Sequence, residues 1–319
     1  MDQIILCNNA NVVVGNGLCY MILLIGHADI LMVTIQGIII MSYTLIPWAD
    51  KTWNPVVGCT KVNLGCSGCY AERMAARLKA MGRPEYQDVV DDKGHWTGKI
   101  KLLPERLNQP LHWLKPKRIF VDSMSDLFHT CVPFAYIAQI LKVMVLANQH
   151  TFIILTKRVD LMLEFTKWMA GADDISIAEW PLNVWLGISI STQEDADKMI
   201  PILLQIPAAI RFISVEPMLQ RISLGGFDGK TYRPWLDTQA YAPMLSWVIC
   251  GGESGPNARP MHPAWVRLLR DQCQQARVPF FFKQWGKRAP VLEFVEKKRA
   301  GHLLDGQEYH EFPKLNGMR

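Results

Sequence analysis

Residues 152–169 read FIILTKRVDLMLEFTKWM and combine two patterns that recur along most of the chain. The first four residues are continuously apolar, as in a β-strand that is buried on both faces. The polar residues Thr156, Lys157 and Arg158 follow, and apolar residues then recur at helical spacing from Val159 to Met169. A strand, a polar turn and a helix in this order are the unit of a parallel sheet.

The same unit recurs before and after this stretch. Further strands are predicted at Arg118–Val121, Val184–Ile190, Arg211–Val215, Trp247–Cys250 and Pro279–Phe282, with an earlier one in Tyr43–Pro47. Further helices are predicted at Ala71–Met81, Pro133–Ala147, Glu194–Gln205 and His262–Ala276. This alternation predicts an α/β fold, a complete or partial (β/α) TIM-like barrel with parallel strands.

One segment interrupts the repeat. Residues 220–245 show no helical period where a crossover helix is expected. A long irregular segment beside the predicted rim of a barrel is typical of a functional loop. We interpret it as an insertion that forms a substrate lid or binding loop.

The start of the chain differs from the rest. Residues 1–40 contain no Lys or Arg and form an apolar N-terminal extension. Residues 21–41 have the length of a membrane span, but polar residues interrupt them and no positive charge flanks them. A membrane anchor, a buried extension of the fold and translated upstream sequence are the alternatives. The abrupt change in composition favours the third, with a functional domain at 41–319 that starts at Met41 and needs no membrane.

Composition narrows the class of protein. Half of the 319 residues are hydrophobic and the net charge is +5, which fits a globular protein with a large core. The mild positive charge is compatible with a nucleic-acid or nucleotide substrate, and also with an ordinary enzyme surface. The eight cysteines do not look like a disulfide framework, which favours a reducing, cytoplasmic compartment. Cys131, Cys250 and Cys273 are expected to be buried small hydrophobic residues.

Three of the cysteines lie close together in residues 52–72, which read TWNPVVGCTKVNLGCSGCYAE. Two residues separate Cys66 from Cys69, so a tight turn can direct both thiolates to one metal centre, and a loop can bring Cys59 back to them. A structural zinc site takes four ligands, whereas three local thiolates suit an iron–sulfur cluster with one open position. The pattern favours iron–sulfur, and zinc with a distant ligand or no metal at all are the alternatives.

Polar residues follow nearly every predicted strand. Because the carboxyl ends of parallel strands meet at one rim of a barrel, we expect these side chains to converge on one site. Its candidate members are Ser123, Asp126, Lys157, Ser189, Glu216, Gly251, Gly252, Glu253 and Lys283. Glu216 and Lys283 are the candidate catalytic pair, with Lys283 as a proton donor. For Glu216 and for Glu253, the alternative is a simple ion pair at the end of the barrel.

These motifs resemble the radical S-adenosylmethionine superfamily, in which a three-cysteine loop follows the first strand of a (β/α) barrel. More closely, an ordered set of motifs is similar to a phage and prophage family labelled as a domain of unknown function, from about Thr44 to the end. Those motifs are TWNPVVGCTKVNLGCSGCYAERMA (52–75), VDSMSDLFH (121–129), LTKR (155–158), GISIST (187–192), SVEPML (214–219), CGGESG (250–255), FFKQWG (281–286) and LLDGQEYHEFP (303–313).

The resemblance implies that Cys59, Cys66 and Cys69 hold a [4Fe–4S] cluster whose fourth iron binds S-adenosylmethionine. Reductive cleavage would then give a 5′-deoxyadenosyl radical that attacks an unidentified substrate, with an external electron donor. The other rim residues would bind the cofactor: Ser123, Asp126, Lys157, Ser189, Gly251, Gly252 and Glu253. The first two cysteines lie further apart than is usual in the superfamily. A non-catalytic module that is stabilised by zinc or an inert cluster, and that binds nucleic acid or protein, is the alternative function.

Overall fold

The protein is described by a computed structural model. It describes residues 3–7, 10–15, 18–24, 29–34, 43–44, 46–171, 179–227, 232–236, 244–288 and 301–314. For the strands before residue 44 and for the short strands near residue 230, the description covers the backbone.

Seven parallel strands form the central sheet. They are β1 (Lys51–Trp53), β2 (Arg118–Val121), β3 (Thr151–Thr156), β4 (Val184–Ile190), β5 (Ile210–Val215), β6 (Trp247–Gly251) and β7 (Phe280–Gln284). They lie side by side in chain order, and each pairs in parallel with the next. The sheet forms a half-barrel. Of the two predicted alternatives, a complete and a partial barrel, the partial barrel therefore fits.

Five α-helices accompany the strands in the described part of the chain. They are α1 (Tyr70–Ala80), α2 (Phe134–Leu146), α3 (Val159–Ala170), α4 (Gln193–Leu203) and α5 (Pro263–Gln275). All five were predicted within two residues of these bounds. Thr192 and Asp195 form a reciprocal capping box at the start of α4. Gly82 follows α1 with a φ of +77°, the left-handed conformation that ends many helices.

The sheet is buried on both faces, as its continuous apolar strands require. In β3, Phe152 and Ile154 belong to the core under the helices, whereas Ile153 and Leu155 belong to a second core on the opposite face. The second core is rich in aromatic rings, and Trp247 lies at its centre, in contact with five aromatic rings of the described residues. The polar residues of the site lie above this aromatic layer, towards the carboxyl ends of the strands.

The first strand of the parallel sheet was predicted incorrectly. It is Lys51–Trp53, and not a part of Tyr43–Pro47. Tyr43–Thr44 is instead the last strand of an antiparallel sheet, whose earlier strands are Gln3–Cys7, Ala10–Gly15, Leu18–Leu24 and Asp29–Thr34. Within the described residues, none of the helices has both the length and the apolar composition needed to cross a bilayer.

The segment between β5 and β6 contains no helix in its described part, as predicted for residues 220–245. Gly225–Phe227 pairs antiparallel with Tyr232–Pro234 in a short hairpin. Residues 228–231 and 237–243, which belong to the predicted lid or binding loop, lie outside the described residues. A second short antiparallel pair joins Val56–Val57 to Lys101–Leu102.

Residues 301–314 cover the outer edge of β7. The Phe282 N–H donates to the Tyr309 carbonyl at 2.7 Å, and the Glu311 N–H donates to the Phe280 carbonyl at 3.3 Å. The rings of Phe281 and His310 stack with centroids 4.6 Å apart. This segment therefore protects an edge that would otherwise expose unpaired backbone groups.

The three isolated cysteines do not share one environment. Cys250 and Cys273 are buried, as predicted, but Cys131 is exposed. Cys131 follows the turn that leads into α2 rather than standing on the buried face of an element, which is why its burial was predicted wrongly.

Candidate functional site

A cavity of about 480 Å³ opens at the carboxyl ends of the parallel strands. Cys59, Cys66 and Cys69 all line it. So do most of the other residues predicted from the strand ends, namely Ser123, Asp126, Lys157, Ser189, Glu216, Gly252, Glu253 and Lys283. Gly251 stands just behind the wall, where a Cβ atom would lie 2.6 Å from Glu216 Oε1. The predicted residues thus lie together, because the carboxyl ends of parallel strands meet at one edge of the sheet.

An ion pair holds the first end of the cysteine loop. Arg158 Nη1 lies 2.8 Å from Asp126 Oδ2 and 3.8 Å from the Cys59 sulfur. The other guanidinium nitrogen donates to the carbonyl and hydroxyl oxygens of Thr60. Asp126 also accepts a hydrogen bond of 2.6 Å from the Thr156 hydroxyl. Asp126, predicted to bind the cofactor, is therefore occupied in fixing Cys59 and Thr60 to the ends of β2 and β3.

A second ion pair holds the other end of the loop. Arg259 Nη2 lies 2.6 Å from Glu253 Oε1, and the same nitrogen donates to the Leu64 carbonyl at 3.0 Å. Hydrogen bonds from Arg259 lower the pKa of Glu253 and favour its charged form. Arg73 adds a further tie, because it donates to the carbonyls of Gly68 and Ser254 at 2.8 Å.

The middle of the loop is attached to α4. Asn63 donates from its side chain to Asp195 Oδ1 at 3.2 Å and accepts the Gly65 N–H at 3.1 Å. The Cys66 sulfur lies 3.5 Å from the same Asn63 oxygen. Residues Leu64–Cys66 form one turn of 3₁₀ helix, which Asn63 caps. The loop is thus held by side chains from three other strand–helix connections.

Cys59 and Cys69 lie in an environment that disfavours a free thiolate. Burial raises the pKa of Cys59 to about 12, and the negative charge of Asp126 adds to this shift. Burial likewise raises the pKa of Cys69, which is the N-cap residue of α1. Thiols of this kind are poor nucleophiles on their own. A bound metal provides the positive charge that makes such thiols deprotonate.

A polar row crosses the floor of the cavity from β3 to β7. The Lys157 ammonium group donates to the Ser189 hydroxyl, which in turn donates to the Glu216 carbonyl at 3.2 Å. The Glu216 carboxylate lies 3.0 Å from Lys283 Nζ and accepts a hydrogen bond from the Ser214 hydroxyl. Glu216 and Lys283 thus form the ion pair that was the alternative to a catalytic role. A proton donor and its acceptor in contact at the wall of a cavity are also what general acid–base chemistry needs.

The segment after β2 contains a residue that the sequence did not single out for a role. Asp122 is 2% exposed, and its φ of +56° is rare for a residue other than glycine. One carboxylate oxygen accepts the Val56 N–H at 3.1 Å, and the other has no hydrogen-bond partner among the described residues. Burial raises the pKa of Asp122 well above its usual range. Its position directly after a strand was the signal available in the sequence.

Asn54 and Tyr70 organise the residues that follow Asp122. The Ser123 hydroxyl and the Met124 N–H both donate to the Asn54 side chain at 3.0 Å. The Tyr70 hydroxyl donates to the Ser123 carbonyl at 2.6 Å. Ser123, predicted to bind the cofactor, therefore lines the cavity with its hydroxyl already hydrogen-bonded to Asn54.

Trp285 is buried and its indole N–H donates to the Leu303 carbonyl, so it packs in the core rather than stacking on a ligand.

Cys69 also lines a second, more open cavity of about 570 Å³ on the outer side of the loop. Charged side chains of both signs surround it, among them Arg73, Lys93 and Glu72. Glu72 is paired with Lys61 at 2.8 Å and accepts the Trp96 N–H at 3.0 Å. The last cysteine of the loop is thus close to the protein surface.

The fold and this site define a class, a parallel α/β half-barrel with a three-cysteine cavity at the carboxyl edge of its sheet. The chain belongs to the family described as Protein of unknown function (DUF5131), whose model matches residues 43–313. The match includes the cysteine loop and all seven parallel strands, and confirms the predicted similarity to a family of unknown function. The family description names no activity. No curated protein matches the chain, and no solved structure matches it either.

Proposed function

We propose that this protein is an iron–sulfur enzyme of the radical S-adenosylmethionine type that modifies a nucleotide or nucleic acid. The supporting observation is that three cysteines of one loop line the same cavity as the polar residues from the carboxyl ends of the parallel strands. Cys59, Cys66 and Cys69 would hold a [4Fe–4S] cluster. When bound and reduced, the cluster supplies the electron that cleaves the sulfonium of S-adenosylmethionine.

The arrangement of the cysteines favours a cluster over a single ion. Thiolates on three corners of a cubane stand further apart than thiolates on one zinc ion, because each binds its own iron. Three cysteines of one loop are one ligand short of a structural zinc site, and they match three corners of a cubane whose fourth iron is open.

The chain's own residues would position the reactants and exclude water. The ion pairs Arg158–Asp126 and Arg259–Glu253 hold the two ends of the cysteine loop. Apolar side chains such as Phe120 line the cavity beside the polar row. Lys283 holds a proton on Nζ in contact with the Glu216 carboxylate, and this pair is available to transfer it to or from a bound group.

Metal and sulfide analysis of anaerobically purified protein tests this proposal. We expect a brown protein with about four irons per chain, as a [4Fe–4S] cluster requires. Alanine at Cys59, Cys66 or Cys69 should each abolish iron binding. The matched control is Cys131→Ala, because Cys131 is exposed and outside the cavity. After reduction, the iron-loaded protein should convert S-adenosylmethionine to methionine and 5′-deoxyadenosine.

Two results would contradict the proposal. A colourless protein with one zinc per chain would indicate a metal-stabilised binding module instead. Equal iron content in the wild type and in all three cavity cysteine variants would show that these cysteines do not bind the metal.

A further inference from the structure

Nearly all charges in the wall of the main cavity are compensated within the protein. Arg158 is paired with Asp126 at 2.8 Å, and Lys283 with Glu216 at 3.0 Å. The third carboxylate, Glu253, is paired with Arg259 just outside the wall at 2.6 Å. In the part of the chain that the structure describes, these contacts leave one lysine of the wall without a carboxylate partner.

That lysine is Lys157. Its ammonium group donates to the Ser189 hydroxyl, and no carboxylate of the described residues forms an ion pair with it. An ammonium group has three N–H donors, so a single hydroxyl leaves donors available. The side chain is half-buried, and a buried charge without a counter-charge is costly.

Asp122 does not supply the missing negative charge. It is buried, with 2% exposure, and it accepts a hydrogen bond of 3.1 Å from the Val56 N–H. Its raised pKa, which results from burial, favours the neutral carboxylic acid. Among the described side chains of the wall, Lys157 is thus the cation that no carboxylate balances.

We propose that Lys157 and Ser189 form a subsite for an anionic group of the substrate, a phosphate or a carboxylate. This inference rests on the proposed function, and it deepens it by naming the residues that would bind the anionic group of the substrate. In the proposed function, S-adenosylmethionine binds to the open iron of the cluster, which leaves Lys157 for a group of the substrate. A nucleotide phosphate would provide the required charge and would accept the free N–H groups of the lysine.

Calorimetric titration with inorganic phosphate tests the subsite, at constant ionic strength and with acetate as a second probe. We expect saturable binding to the iron-loaded wild type and about tenfold weaker binding to Lys157→Met, because a charge-assisted hydrogen bond is lost. Ser189→Ala should weaken binding by a smaller factor, and this variant keeps the test valid if Lys157→Met does not fold. The matched control is Lys198→Met, because Lys198 is an exposed lysine of α4.

Iron content is measured in parallel, because Lys157 also acts on Cys69, where its charge opposes the rise in pKa that burial causes. Loss of iron from Lys157→Met would show that the lysine serves the cysteine loop, which would overturn the subsite. Unchanged phosphate binding in Lys157→Met, or no binding to the wild type, would overturn it too. Competition between S-adenosylmethionine and phosphate would assign the site to the cofactor carboxylate and refute the substrate assignment.

The two proposals can fail separately. If the protein binds phosphate through Lys157 but holds no iron, the anion subsite stands and the radical chemistry does not. If iron and cofactor cleavage are present but phosphate does not bind, the subsite alone is wrong.

Discussion

The carboxylate of Glu253 lies directly against the backbone of Gly68, and Arg259 holds it there. A Cβ atom at residue 68 would stand 2.4 Å from Glu253 Oε1, closer than real contacts allow. Arg259 binds both carboxylate oxygens, with Nη2 2.6 Å from Oε1 and Nε 2.9 Å from Oε2. Because Gly68 lies between Cys66 and Cys69, this contact ties the second half of the cysteine loop to the connection after β6.

Gly68→Ala is expected to displace the cysteine loop. The added methyl group must push away a carboxylate that Arg259 holds, and moving a buried ion pair costs more than moving a flexible chain end. We expect a loss of stability of about 1–3 kcal/mol, as for overpacking in a core, and poorer retention of iron. Urea denaturation and iron content after gel filtration measure the two effects.

Gly301→Ala is the matched control for that change. A Cβ atom at Gly301 would meet nothing within 4 Å. Both properties should therefore stay close to those of the wild type. Equal behaviour of the two variants would show that the approach of Glu253 to Gly68 has no role in holding the loop.

Arg259→Gln should weaken the same attachment from the other side. The variant leaves the carboxylate of Glu253 with 6% exposure and without its cation. We expect a loss of about 1–3 kcal/mol, because a buried charge loses its hydrogen bonds. Arg267→Gln is the control, since its ion pair with Asp305 is on the surface and should contribute about 1 kcal/mol or less. A smaller effect at Arg259 than at Arg267 would contradict this prediction.

The ion pair also predicts a dependence on pH. Hydrogen bonds from Arg259 lower the pKa of Glu253 in the folded protein. A lowered folded-state pKa stabilises the protein above the ordinary glutamate value of about 4.3, and the stabilisation is lost as pH falls through the folded value. Glu253→Gln cannot titrate, so the stability difference between wild type and variant should narrow as pH falls below about 4. A constant difference in urea midpoints over this range would contradict the assignment.

Most of the fold could be predicted because parallel strands buried on both faces are continuous apolar runs. Val184–Ile190 is such a run, and its predicted bounds match those of the strand. Lys51–Trp53 is not, since it is three residues long, is polar at two of them and lies at the edge of the described sheet beside Arg118–Val121. A short edge strand has too little apolar pattern to be recognised from local sequence.

The sequence could predict which residues form the candidate site, but not which of them pair with one another. Topology alone requires that strand-end residues such as Lys157 and Glu216 meet at one edge of the sheet. Which carboxylate pairs with which cation depends on how the loops fold over that edge. Arg259, for example, lies six residues after Glu253 in an irregular loop, and no local pattern indicates that they form an ion pair. The left-handed backbone conformation of Asp122 could not be predicted from a pattern of residue types either.

The last prediction concerns Asp195, which joins α4 to the cysteine loop. One of its carboxylate oxygens accepts the N–H groups of Ser191 and Thr192, and the other accepts the Asn63 side chain. Asp195→Ala removes half of the capping box and leaves two backbone donors without this partner. We expect a loss of about 1–2 kcal/mol in urea denaturation, as for a lost helix cap.

The same change should also loosen the loop, because Asn63 loses its anchor on α4 while its side-chain oxygen still accepts the Gly65 N–H beside Cys66. Iron should then dissociate faster from Asp195→Ala during incubation with a chelator. The control is Glu194→Ala, because Glu194 is an exposed acid in the same first turn of α4, whereas the Asn63 side chain donates to Asp195. If the two variants released iron at equal rates while only Asp195→Ala was less stable, the link from α4 to the cysteines would be refuted and Asp195 would act as a helix cap alone.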